Sequence, residues 1–89
     1  MISQSLTIIN KLGLHARAAA KLATLAGRYS STIQISTQGK EVDCKSVMSL
    51  MLLAASKGTD ITISATGDDE QEAINAVVEL INNRFDEAE

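Results

Sequence analysis

Two stretches of strict alternation constrain this chain more than anything else in it. Thr32-Ile33-Gln34-Ile35-Ser36 and Asp60-Ile61-Thr62-Ile63-Ser64-Ala65 set isoleucines against polar side chains at every second position. Successive side chains of a strand point to opposite faces, so each stretch is a strand with one apolar and one polar side. A sheet made of such strands buries one face only. All-parallel sheets are covered on both faces and read as continuous apolar runs, so this pattern selects an antiparallel sheet with helices on one side and water on the other.

The remaining elements fall between these two strands and around them. Ser5-Leu6-Thr7-Ile8-Ile9 reads as a first strand, with Asn10 to Gly13 as a loop. From Ala16 to about Gly27 the alanines and leucines are strong helix formers, and Ala19, Leu22, Ala23 and Ala26 share one face. Gln38-Gly39 marks a tight turn into a short strand, Glu41-Val42-Asp43. Ser46 is a good N-cap for a second helix, which Lys57-Gly58 is expected to end. Asp68 and Gln71 have the spacing of a capping box before a third helix, whose stripe is Ile74, Val77, Val78 and Ile81. The tail, Asp86-Glu87-Ala88-Glu89, is acidic and expected to fray. The order β-α-β-β-α-β-α predicts an α+β, two-layer open-faced sandwich: a four-stranded antiparallel sheet with three helices on one face. At 89 residues the chain is expected to form a single domain over 1–89.

Composition narrows the function classes. Aromatic residues make up 2% of the chain, so there is no stacking platform for nucleic acid, and the net charge of −3 argues against a polyanion partner. No apolar run is long enough to span a membrane, and the first residues lack the pattern of a signal peptide. A single cysteine, Cys44, forms no internal disulfide. Together these features predict a cytoplasmic protein. Cys44 and the lone histidine, His15, fall short of a zinc site, so no metal and no cofactor are expected. The charges are segregated: six of the eight basic residues lie in 1–45 and nine of the eleven acidic ones in 46–89.

The stretch Gly13-Leu14-His15-Ala16-Arg17-Ala18-Ala19-Ala20-Lys21-Leu22 breaks the usual rule for a helix start. Acidic residues favour the first turn, where they offset the macrodipole, but here the charges are Arg17 and Lys21. With His15 as N-cap, the first backbone N–H groups, those of Ala16 and Arg17 among them, have no intrahelical acceptor and form an anion site. The arrangement puts an imidazole beside fixed positive charge, among small alanines. A phosphoryl group carried on His15 itself would suit it, because phosphoryl transfer asks mainly for positioning and for stabilisation of charge on the equatorial oxygens. The plainer alternative is an ordinary surface or capping histidine.

Asn10-Lys11-Leu12-Gly13-Leu14-His15-Ala16-Arg17 resembles the active-site motif of the HPr phosphocarriers of bacterial phosphotransferase systems. Lys45-Ser46-Val47-Met48-Ser49-Leu50-Met51 resembles the second signature of the same family, and Ala54 to Gly58 and Ala65-Thr66-Gly67 continue the likeness over nearly the whole chain. The tail from Ile81 to Glu87 looks closest to the nitrogen-related branch, NPr. The resemblance implies the same open-faced sandwich and a phosphocarrier, a phosphotransferase component rather than a stand-alone enzyme. His15 would accept the phosphoryl group on Nδ1 from phospho-enzyme I of the nitrogen type, Arg17 would stabilise it, and an EIIA-type protein would receive it. The alternative is a regulatory binding module whose partner affinity is switched by phosphorylation of His15 or Ser46. In some branches of the family the serine matching Ser46 is a kinase target; otherwise it simply caps its helix.

Docking to these partners is expected through Leu14, Ala20, Val47, Met48 and Met51 around His15. Methionines adapt to more than one partner, and a short helix cannot bury every apolar side chain on one sheet face. A monomer is expected. Ala18 departs from the family, which usually has proline there; alanine is a good helix former, so the site is expected to survive the change.

Overall fold

A computed structural model describes residues 1–87. Its elements run β1 (Ile2–Thr7), α1 (Ala16–Ala26), β2 (Thr32–Thr37), β3 (Lys40–Asp43), α2 (Val47–Leu53), β4 (Asp60–Thr66) and α3 (Glu70–Asn82), followed by a short 3-10 turn over Arg84–Asp86. The four strands form one antiparallel sheet in the order β1-β4-β2-β3. The expected order and layering are therefore present. Ile33 and Ile35 of β2 and Ile61, Ile63 and Ala65 of β4 are buried in one cluster with Leu22 of α1, Leu50 of α2 and Val77 of α3. The opposite face carries hydroxyls that pair across strands, Ser3 with Ser64 at 3.2 Å and Thr7 donating to Asp60 at 2.7 Å.

Four local expectations are corrected. The first strand lies earlier than the alternation suggested, because its partner sets its length: β1 pairs with β4 from Ile2 opposite Ala65 to Thr7 opposite Asp60. Ile8 is left beyond the strand, buried, with its N–H on the Thr59 carbonyl at 3.0 Å.

The second helix stops at Leu53, not at Lys57-Gly58. Ala54 takes the left-handed conformation (φ 56°) with its N–H on Met51 O, and the chain turns so that the carbonyl of Ala55 accepts from Leu14 N–H at 2.8 Å. Gly58 serves the next turn instead, donating to the Ile8 carbonyl at 2.8 Å.

The capping box at Asp68 and Gln71 does not form. Asp69 is the N-cap residue, and its carboxylate leaves the helix to accept from the N–H groups of Ser30 and Ser31, each at 2.9 Å, and from the Ser31 hydroxyl. Those bonds, led by the one from the Ser31 side chain, pull the Asp69 carboxyl down to about 2. Glu70 reaches back to the N–H of Gly67 at 3.1 Å, supplying the reciprocal half of a cap one residue out of register.

The tail folds back rather than fraying over its described part. Arg84, Phe85 and Asp86 are all left-handed (φ 56°, 54° and 62°), and the Phe85 ring is fully buried. Ala88 and Glu89 lie outside the described residues.

Candidate functional site

The loop before α1 is held from below. Gly13 is left-handed (φ +66°), and a Cβ there would stand 2.6 Å from Ala55 O and 2.7 Å from Ser56 Cα. Only glycine lets the two backbones approach this closely. Asn10 is buried and bridges the loop, its Nδ2 donating to the Gly13 carbonyl at 2.7 Å. These contacts fix the entry into α1 and thereby the place of His15.

His15 is the N-cap residue of α1, with extended backbone (φ −77°, ψ 179°) and no side-chain cap bond. The first bond of the helix runs from Ala19 N–H to the His15 carbonyl at 2.8 Å. The amides of Ala16 and Arg17 thus precede the intrahelical ladder, and no acidic residue occupies the first turn. Arg17 is exposed beside them. The helix start is open, with His15 at the N-cap and Arg17 two residues along.

The negative charge at this tip comes from the other end of the chain. Glu87 Oε2 lies 2.5 Å from His15 Nε2, and Glu87 Oε1 accepts from Asn10 Nδ2 at 3.0 Å. Desolvation works against charge on Glu87, but the hydrogen bonds from Asn10 and His15 and the charges of His15 and Arg17 outweigh it. They hold the carboxyl below the ordinary glutamate value. Lys21, the second basic residue of this helix start, is committed to the tail: its Nζ donates to the Phe85 carbonyl at 2.9 Å. Nothing in the sequence signalled Glu87 and Phe85 at this site, nor that Asn10 and Lys21 hold the tail against it. Glu87 is 72 residues from His15, so no local spacing could have announced it.

The expected docking residues divide. Ala20, Val47, Met48 and Met51 are exposed. Leu14 is not part of that surface: it is 5% exposed, because the left-handed turn at Gly13 and the bond to Ala55 O direct it into the core. Leu12 (66% exposed) and Leu52 (74% exposed) are further exposed apolar side chains. Ser46 caps α2, its Oγ accepting from Ser49 N–H at 3.2 Å. Cys44 is buried, and burial together with the charge of Asp43 pushes its thiol up to about 12.

The sequence and fold have clear relatives. Residues 2–83 match the protein-family model described as "PTS HPr component phosphorylation site". The phosphocarrier protein HPr of Cupriavidus necator is 53% identical over the full length of both chains. The phosphocarrier protein NPr of Shewanella violacea is 41% identical over 98% of this chain and 96% of its own. Among solved structures, HPr-C-His from Thermoanaerobacter tengcongensis superposes with a TM-score of 0.96 at 44% identity, covering all of both chains. A mycoplasma histidine-containing phosphocarrier protein gives 0.88 at 40% identity, covering 93% of this chain and 96% of its own. The chain belongs to the HPr family of phosphocarriers of the phosphotransferase system.

Proposed function

We propose that His15 is the residue that carries the phosphoryl group, accepting it on Nδ1 from phospho-enzyme I and passing it to an EIIA-type protein in the cytoplasm. The observation that carries this reading is the tip of α1: an uncapped helix start whose N-cap residue is the histidine itself, with Arg17 beside it. The attacking group is an unprotonated ring nitrogen. The amides of Ala16 and Arg17 and the Arg17 guanidinium stabilise the oxygens of the transferred group, which is most of what this chemistry needs. Ala20, Val47, Met48 and Met51, with Leu12 and Leu52, supply the apolar surface on which donor and acceptor dock in turn.

The nitrogen-related branch is the finer reading, and the tail from Ile81 to Glu87 supports it. The test is incubation with phosphoenolpyruvate and enzyme I of either the sugar or the nitrogen type, read by intact mass. One acid-labile phosphoryl group, lost in His15→Ala, is the expected result; no label with either donor refutes the reading. The donor and the EIIA-type acceptor that work at high rate decide the branch. Ala18 is buried at the third helical position, before the ladder begins, so Ala18→Pro removes no helical hydrogen bond and should leave the rate unchanged. A label that stays on His15 with every acceptor would favour a regulatory binding module instead.

A further inference from the structure

Among the described residues, His15 has a partner at one ring nitrogen only. Nε2 faces Glu87 Oε2 at 2.5 Å, while Nδ1 makes no hydrogen bond. The carboxylate is held in turn, with its second oxygen on Asn10 Nδ2 at 3.0 Å. Asn10 is buried and bonded to the Gly13 carbonyl, so the acceptor for Nε2 is tied to the loop that places His15. On the other side, the C-terminal turn is closed by Glu87 N–H on the Arg84 carbonyl at 3.0 Å and anchored by the buried Phe85 ring and by Lys21 on its carbonyl. Glu87 is therefore placed from two directions.

We infer that Glu87 is a positioning residue: it keeps the proton of His15 on Nε2, leaves Nδ1 as the nitrogen that gains and loses the phosphoryl group, and balances the positive charge that the ring acquires. This rests on the reading of His15 as the acceptor. An ionised carboxylate can only accept, so the proton between Glu87 and His15 belongs to Nε2. The same logic orients the imidazole of a Ser-His-Asp triad, where a buried carboxylate sets the tautomer and stabilises the imidazolium.

The step balances without any further reactant. The Nδ1 lone pair forms the N–P bond while the bond from phosphorus to the donor's leaving atom breaks and its electron pair departs with the donor. The Nε2 proton stays where it is. The ring is then cationic, with the carboxylate of Glu87 against it. In onward transfer the Nδ1–P pair returns to the ring, which leaves as neutral imidazole. Without the Nε2 proton it would have to leave as an anion, a far poorer leaving group. Glu87 thus keeps the phosphoryl group transferable in both directions.

The test uses the full chain with 15N-labelled histidine and phosphoramidate, a small donor that needs no protein partner. Ammonia leaves from it as the N–P bond to His15 forms. The wild type should show one tautomer, protonated at Nε2, and phosphorylation at Nδ1. Glu87→Leu should give a mixture of tautomers and some Nε2 adduct. Glu87→Gln, of the same shape but uncharged, should keep the Nδ1 adduct and slow uptake about tenfold, the difference between a charged and a neutral acceptor. Wild-type tautomer, adduct and rate in both variants would overturn the inference. So would faster uptake, which is what a carboxylate merely blocking the site would produce. Phosphoramidate acts without enzyme I, so failure here is separate from failure of the protein donor to label His15.

Discussion

Replacing Gly13 by alanine should damage both stability and function, and the structure gives the size of the effect. The left-handed conformation (φ +66°) costs an L side chain about 1 kcal/mol. The added Cβ would stand 2.6 Å from Ala55 O and 2.7 Å from Ser56 Cα, both backbone atoms that cannot swing aside. Relieving that overlap displaces the loop and loses the 2.8 Å bond from Leu14 N–H to Ala55 O, about 1 kcal/mol more. With about 1 kcal/mol for residual strain, the total is about 3 kcal/mol. For a small chain with a urea slope of about 1 kcal/mol/M, the unfolding midpoint should fall by about 3 M.

Gly39→Ala is the control: it is also left-handed (φ +81°), but nothing lies within 4 Å of the position, so it should cost only about 1 kcal/mol. Urea titration of the two variants followed by circular dichroism separates conformation from contact. Equal midpoints would show that the approach of Gly13 to residues 55–56 does not hold the loop. Phosphoryl uptake by Gly13→Ala, measured in conditions where it stays folded, should fall as well, because Leu14 and His15 move with the loop.

Two further outcomes follow from the surface and from the second carboxylate clamp. Met48→Glu should slow phosphoryl transfer about tenfold or more while changing stability by no more than about 0.5 kcal/mol, since Met48 is 71% exposed; global unfolding would mean that the residue is part of the core. Asp69 has a folded value of about 2 against an ordinary 3.8, so its contribution is full above the ordinary value and is lost as pH falls through about 2. The urea midpoint of the wild type should therefore drop between pH 5 and pH 2 more steeply than that of Asp69→Asn, and parallel curves would exclude Asp69 as a source of acid sensitivity.

What could be read in the sequence and what could not divide along a physical line. The strands at Thr32–Ser36 and Asp60–Ala65 were legible because a half-buried strand writes its two faces into consecutive residues. The opened start of α1 was legible because His15 and Arg17 stand where a capping carboxylate would be expected. The errors all involve partners distant in sequence. The second helix ends at Leu53 because the Ala55 carbonyl is needed by Leu14, some forty residues earlier. Asp69 leaves its own helix for Ser30 and Ser31. Leu14 looked like a surface residue beside the histidine, and only the turn imposed by Gly13 against residues 55–56 sends it inward.

The tail is the extreme case of this division. Asp86 and Glu87 have the composition of a solvated end, and nothing nearby in sequence suggests otherwise. What holds them is Phe85, the one phenylalanine in the chain, buried completely although its own backbone is left-handed. Three consecutive left-handed residues are costly, and burying a phenylalanine contributes about 1.5–3 kcal/mol against that cost. The result is a carboxylate delivered to a histidine whose side chain keeps 26% of its surface exposed, while that of Glu87 keeps 16%. In the proposed role as carrier, His15 must be reachable by large partners and yet hold one orientation. Exposure alone would leave the ring free to rotate, and burial alone would deny access. Tying Nε2 through Glu87 and Asn10, with Nδ1 unbonded among the described residues, satisfies both demands at once. The basic start of α1 is then half of a charge arrangement whose other half arrives from the far end of the chain.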